Sequence, residues 1–294
     1  MTSEPTLARS TLDRAAHHRV DPQWLAQAWE QGRVLVIGLD GRALVRDGAL
    51  VLLDASAAPD GERLFLGIDG GVPHFAVCAE PPAAEGAEAA QLYAVASTLS
   101  STDAGLFTTA LALVQWHLKY QYSPMTGAPT SIGNGGWVRY GPEGEMVFPR
   151  TDPAVIVLVH DGVPGPQGRI VLGRNAAFQG TPPRYSILAG FVEPGESAEA
   201  AAHREVGEEV GVQVTDVTYV ASESWPFPRS LMLGFTARAE LDAPVHADAD
   251  EILHARWFTR TEIAAVLDGS DTSISLPSRS SIAYHLVTRW LAER

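Results

Sequence analysis

The stretch GFVEPGESAEAAAHREVGEEVGV, Gly190 to Val212, decides how the rest of the chain is read. Ser197 fits an N-cap and Gly211 a helix terminator, so a helix is predicted between them. Ala198, Ala202, Val206 and Val210 recur every four residues and make one apolar stripe. Glu205, Glu208 and Glu209 stand at i, i+3 and i+4 and share a different face, at the edge of that stripe. Each like-charged pair costs about 0.2–0.5 kcal/mol on an isolated helix. Gly207 in mid-helix costs up to ~1 kcal/mol relative to Ala. Two readings explain a sequence that carries such costs. One is a solvated acidic face, which is common. The other is a set of hard oxygens gathered for Mg²⁺ or Mn²⁺, which prefer carboxylates and phosphates.

Outward from this stretch, composition narrows the function classes. The chain has 294 residues, 46% of them hydrophobic, with 21 Lys+Arg against 35 Asp+Glu and a net charge of −14. That length and apolar content fit two packed domains rather than a disordered chain. The acidic balance argues against tight nonspecific nucleic-acid binding and against an anionic membrane surface. A single cysteine, Cys78, excludes an internal disulfide and a cysteine-only zinc site. It fits a reducing compartment. Met1 to Val20 has no apolar signal-peptide core, and the longest fully apolar run, Ala154 to Val159, is far short of a membrane span. A cytoplasmic protein without a membrane partner is expected.

The first third reads as β-rich. Arg33 to Arg46 places two apolar runs around Asp40-Gly41, and Arg63 to Glu80 repeats the device around Asp69-Gly70-Gly71, so two hairpins in an antiparallel meander are predicted. Pro81 to Ala90 reads as a loop or short helix, and Asp103 as the cap of a helix from about Ala104 to Tyr122. Gly, Pro, Ser and Thr dominate Ser123 to Arg150, a looped module. Beyond it, strands are expected at Ala154–Val159, Arg169–Leu172, Tyr185–Leu188, Gln213–Ser222, Leu231–Ala239 and His254–Phe258. Helices are expected at Ser197–Val210, Thr261–Leu267 and Ser280–Ala292. Mixed in this order, they make an α+β domain.

The spacing of the carboxylate stretch resembles the Nudix signature, G-x5-E-x7-R-E-U-x-E-E-x-G-U with U a bulky aliphatic. Gly190, Glu196, Arg204, Glu205, Val206, Glu208, Glu209, Gly211 and Val212 match it throughout. Such a match arises by chance on the order of once in 10¹⁰ windows at average composition. Downstream, SESWPFPRS (Ser222 to Ser230) resembles the SQPWPFPxS array of the NADH pyrophosphatase branch of that family. Glu223 and Ser224 depart from it, standing for Gln and Pro. Two prolines around aromatics make a stiff segment that either presents flat faces to a base or plugs a core. DADEILHARWF (Asp248 to Phe258), LPSRSSIAYHL (Leu276 to Leu286) and VFPRTDPAVI (Val147 to Ile156) also resemble the branch.

The resemblance implies a fold and a site. The fold would be a β-rich N-terminal Nudix-like domain over 1–115, a degenerate zinc-ribbon-like module over 116–149, and a C-terminal Nudix α/β/α sandwich over 150–294. The activity would be hydrolysis of the pyrophosphate of NADH or NAD⁺ to nicotinamide mononucleotide and AMP. The alternatives are ADP-ribose, a dinucleoside polyphosphate or NAD-capped RNA as substrate, or a silent nucleotide sensor. Glu205, Glu208 and Glu209 would be catalytic. With Glu251 and the carbonyl of Ala189 they would hold Mg²⁺ or Mn²⁺. Phe148, Phe191, Glu223, Trp225, Pro226, Phe227, Pro228, Arg229, Ser230 and Ala283 would meet substrate, although core packing also explains both of those first phenylalanines. Arg204 and Glu196 would form a structural ion pair. The branch implies a homodimer. Its zinc ribbon begins with a Cys-x2-Cys pair where this chain has Ser123 and Thr126, within HLKYQYSPMTGAPT (His117 to Thr130). Hydroxyls do not replace thiolates on zinc, so no zinc is expected and packing alone should hold the module.

Overall fold

A computed structural model describes residues 4–178 and 180–293. The chain divides into two compact units. One comprises Leu7–Thr151 with Trp225–Arg229; the other comprises Met1–Thr6, Asp152–Ser224 and Ser230–Arg294. This differs from the division at 115 and 149 in two ways. The looped module belongs to the first unit, and the Trp225–Arg229 peptide is packed there rather than with its sequence neighbours.

In the first unit, α1 (Pro22–Glu30) is capped by Asp21, whose carboxylate accepts from the backbone of Gln23 and Trp24. The strands are β1 (Arg33–Ile37), β2 (Arg42–Arg46), β3 (Ala49–Leu50), β4 (Leu52–Asp54), β5 (Leu64–Asp69), β6 (Val72–Cys78) and β7 (Glu88–Gln91). They form two sheets, ordered β4-β1-β6-β5 and β3-β2-β7. The second expected hairpin is present as β5 and β6. The first is corrected: Gly38 and Gly41 do turn the chain, but β1 and β2 part into different sheets. The meander is corrected too, since β1 pairs with β6 in parallel, Val34 opposite Phe75. β1 is buried from Val34 to Ile37 on both faces, and such a strand is satisfied by a parallel neighbour as readily as by its own hairpin. Residues expected as loop or helix supply β7, and the short α2 (Leu92–Val95) follows. The long α3 (Ser101–Lys119) starts earlier than expected, because Ser100 is its cap; Asp103 instead accepts from Leu50 N–H. Almost one whole side of α3 is buried among Leu35, Leu64, Leu66 and their neighbours.

The looped module is a small sheet of β8 (Ser131–Gly133), β9 (Val138–Tyr140) and β10 (Met146–Val147), ordered β10-β9-β8. Polar bonds, and not packing alone, hold it. Arg139 donates through Nε to Thr130 Oγ1 at 2.6 Å and through Nη2 to Thr130 O at 2.8 Å. Its Nη1 lies 3.0 Å from His117 Nδ1. Arginine only donates, so His117 Nδ1 accepts, and Nε2 carries the proton given to Gly136 O at 2.8 Å. At the positions expected to lack zinc thiolates, the buried Ser123 hydroxyl accepts from Met125 and Thr126 N–H, and Thr126 Oγ1 donates to Glu145 at 3.4 Å.

The second unit is built on a six-stranded mixed sheet. Its strands are β11 (Asp152–His160), β12 (Arg169–Asn175), β13 (Leu188–Phe191), β14 (Val214–Trp225), β15 (Ser230–Ala239) and β16 (Ile252–Thr259). The order is β14-β15-β11-β12-β16, with β13 paired to β11. β11 is apolar from Ala154 to Val159 because helices cover both faces. On one side lies α4 (Ala198–Val210), capped by Ser197 and closed by Gly211 at φ 69°. Its fully buried Val206 and Val210 contribute about 1.5–3 kcal/mol each. On the other side lie α5 (Arg260–Asp268), with a Thr259–Glu262 capping box, and α6 (Ile282–Ala292), capped by Ser281. This is an α/β/α sandwich. No helix among the described residues is long and apolar enough to cross a membrane.

Candidate active site

The site begins where β13 delivers the chain to α4. Arg204 is its hub. It donates to Glu196 at 2.6 Å, to Glu205 at 2.8 Å, to Glu208 at 2.9 Å and to Phe191 O at 2.9 Å. Glu196 in turn accepts from Glu193 N–H, so the loop before the helix is pinned at both ends. Those bonds, Glu196 first, push the Arg204 guanidinium above its ordinary pKa.

Glu205 lies against the backbone of Gly190, and a Cβ there would run into its carboxyl group. Glycine at 190 is thus a clearance for a carboxylate. Burial raises the Glu205 pKa, against the pull of Arg204. Glu209 is 3% exposed and its Oε2 is buried without a hydrogen-bond partner. Its pKa is pushed up to about 8, by burial first and then by the charges of Glu251 and Glu205, while a hydrogen bond with the Ala189 backbone opposes the shift. Glu208 is the exposed member, with 63% of its side chain open.

Glu251 comes from the turn before β16. Asp248 makes that turn, its Oδ1 accepting from the N–H groups of Asp250, Glu251 and Ile252. Asp248 N–H in turn bonds to Glu209 O at 3.1 Å, and His246 N–H to Val210 O at 2.9 Å, tying the turn to the end of α4. Asn175 on β12 donates to Glu251 Oε1 at 3.3 Å. Sequence reasoning gave no role to Gly190 beyond its place in the signature, and none to Asp248 or Asn175. The i+3 spacing of Asp248 to Glu251 was the readable signal for the second of these.

A divalent cation fits these residues. Glu205, Glu209 and Glu251 are hard oxygen donors, the charge of Glu251 helps to raise the pKa of Glu205 and of Glu209, and Glu209 Oε2 is an orphaned buried oxygen that a cation would satisfy. As the side chains stand, Arg204 occupies Glu205 and Glu208, and among the described residues no three acidic or imidazole groups are already converged on one point.

The remaining candidates fall in both units. In the second, Phe191 is 57% exposed, so its ring is not spent on core packing. Glu223 is 1% exposed and its Oε2 accepts from Ile282 N–H at 2.6 Å, at the first turn of α6. A carboxylate suits a helix N-terminus better than an amide does. Ala283, next on α6, has a buried side chain and a backbone N–H in the turn without intrahelical partners. Ser230 opens β15. In the first unit, Phe148 is 59% exposed. Trp225 and Phe227 meet at 4.9 Å and 72°, and both stand edge-on to Tyr93 against the α3 core. Pro226 O accepts from Gln115 at 3.1 Å, the Phe227–Pro228 bond is cis, and the Arg229 guanidinium lies 6.0 Å from the Tyr120 ring.

Helix, sheet and carboxylates together are those of a Nudix hydrolase, and the chain belongs to that family. The NUDIX domain model matches residues 150–276, and the model of the NADH pyrophosphatase-like rudimentary NUDIX domain matches residues 24–116. The chain is 40% identical to the NAD-capped RNA hydrolase NudC of Mycobacterium tuberculosis (strain ATCC 25177 / H37Ra), over 99% of this chain and 96% of that one. It is 39% identical to the NAD-capped RNA hydrolase NudC of Deinococcus radiodurans, over 75% of this chain and 80% of that one. It is 37% identical to the human NAD-capped RNA hydrolase NUDT12, over 66% of this chain and 43% of that one.

Proposed function

We propose that this chain hydrolyses the pyrophosphate bond of NADH or NAD⁺, releasing AMP and nicotinamide mononucleotide. Water adds across the P–O–P bridge; its oxygen goes to one phosphorus and its protons are shared between the two phosphates released. The observation that carries the reading is Glu209: an acid held in the core edge with an unsatisfied oxygen, beside Glu205 and Glu251. Such a group is costly unless a cation completes it. Glu205, Glu208, Glu209, Glu251 and the Ala189 carbonyl would hold Mg²⁺ or Mn²⁺. The cation supplies charge neutralisation at the pyrophosphate and an acidified water near neutral pH. In a chain of net charge −14 it also lets a dianion approach carboxylates at all. The exposed rings of Phe148, in the first unit, and Phe191, in the second, each offer a flat face to a nicotinamide or adenine, and the resemblance supports Trp225, Pro226, Phe227, Pro228 and Arg229 in the first unit and Ser230 and Ala283 in the second as further substrate contacts. Glu223 acts through α6, which it caps. The working form is a homodimer; light scattering on the purified protein should give the mass of two chains.

A second reading is favoured by the names of the relatives: the same bond cleaved at the NAD cap of an RNA 5′ end. One experiment addresses both. The protein with Mn²⁺ is given NADH, ADP-ribose and NAD-capped RNA at equal concentration, and products are identified by mass spectrometry. Release of nicotinamide mononucleotide from NADH or from the cap supports the corresponding reading. Faster cleavage of ADP-ribose than of either overturns both.

A further inference from the structure

The N-terminal unit has a cavity of about 490 Å³ that the hydrolytic reading does not use. Its volume is within the roughly 300–1,000 Å³ range of small-molecule sites. Arg19 and Arg63 line it, with Glu62 the one acid among its lining residues. The Arg19 guanidinium lies 3.6 Å over the Trp137 ring, and its Nε is buried with no hydrogen-bond partner. Arg14 is 5.4 Å from the same ring, and its backbone carbonyl accepts from Arg19 Nη2. Arg63 lies 4.2 Å over Trp29. Two guanidinium groups therefore line one cavity, with Arg14 beside the first of them, in a chain where acids outnumber bases 35 to 21. The crowding is felt: burial first, then the charge of Arg14, pulls the Arg19 pKa down to about 10. A bound anion would offset the charge of Arg14 and favour the charged guanidinium.

The loop from Gly133 to Gly136 also lines the cavity. Asn134, Gly135 and Gly136 all have positive φ, 49°, 59° and 93°, so the backbone turns sharply where it lines the cavity. The loop is fixed from behind. A Cβ on Gly136 would meet Leu64 at 2.6 Å, Trp137 Nε1 donates to Phe65 O at 2.7 Å, and His117 Nε2 donates to Gly136 O. Leu25, Phe75 and Ile132 supply an apolar side.

We propose that this cavity is a second ligand site that binds a nucleotide. Arg19, Arg63 and the 133–136 loop take the phosphate, and the apolar side takes the base. The site stands whichever substrate the Nudix box cleaves. Its chemistry fits a free mononucleotide or one nucleotide of a single strand, and the test separates them. AMP and an uncapped hexaadenylate are titrated by calorimetry onto the full-length protein in a chelator. The same titrations are run on Glu209→Gln, on Arg19→Gln/Arg63→Gln and on Arg63→Gln alone. The site predicts binding that survives Glu209→Gln and falls tenfold or more in the double variant, whose NADH turnover stays at the wild-type rate. Binding of AMP and oligomer alike marks a free-nucleotide site, and of the oligomer alone a strand site. Among the described residues Arg63 is held by its stack on the Trp29 ring, so Arg63→Gln should remain folded if the double variant does not, and should weaken binding at least threefold. Equal binding by wild type and folded variants overturns the proposal, as does the absence of any binding that survives Glu209→Gln.

Discussion

At the scale of single residues, the box is a set of opposed charges kept apart by small clearances. Gly190 shows this most directly, because its missing side chain is what lets Glu205 lie on the backbone. Gly190→Ala is therefore expected to lower kcat for NADH about 10–100-fold and to raise the Mn²⁺ concentration needed for half activity, with the melting temperature nearly kept. A wild-type Mn²⁺ titration curve in that variant would refute the clearance argument. Glu209→Gln should behave differently. Removing a buried, unsatisfied carboxylate should leave the metal-free protein at least as stable as wild type, while turnover falls about 10²-fold or more. Thermal melts in chelator beside steady-state rates in Mn²⁺ check the pair. Asp248→Ala tests the turn that presents Glu251. Without the carboxylate that accepts from Asp250, Glu251 and Ile252, activity should drop roughly 10–100-fold even though no proposed metal ligand is changed.

At the scale of elements, the looped module makes a prediction about pH. His117 is 8% exposed and bonded as a neutral ring between Arg139 and Gly136, and burial holds its pKa down to about 4. The unfolded chain takes up this proton near pH 6.5 and the folded protein only near 4, so stability is lost as pH falls through that window. The loss has a ceiling of about 3 kcal/mol. Urea melts of wild type and His117→Gln between pH 7 and 4 should show a steeper decline for wild type; parallel declines would contradict the bonding described. The same module shows where a linear reading stops. Helix α4 was readable almost to the residue, because Ser197, the Ala/Val stripe and Gly211 are local signals. The parallel pairing of β1 with β6 was not, since a short apolar run does not say which neighbour will satisfy it. Nor was the His117–Arg139–Thr130 network, whose members are 22 and 9 residues apart and carry no motif. The carboxylate box was visible because three of its members, Glu205, Glu208 and Glu209, sit within five residues of one helix. Asn175 was not, because it reaches Glu251 from 76 residues away.

At the scale of the whole molecule, the two kinds of support respond differently to chelation. Divalent cations are proposed only for the chemistry of the sandwich, whereas the looped module is tied by Arg139, His117 and Ser123. EDTA should thus abolish turnover and leave the melting temperature within about 2 °C, and Mn²⁺ or Mg²⁺ should restore the rate. A large stability loss on chelation would show that a metal also holds the fold.

The reciprocal membership of the two units reaches furthest. Residues 225–229 complete the unit that is otherwise built from Leu7–Thr151, filling its α3 core with Trp225 and Phe227. A cut after Thr151 would therefore part the first unit from five of its own residues, and the fragment from Asp152 onward is expected to expose the rings of Trp225 and Phe227 to water and to self-associate more than the full chain does.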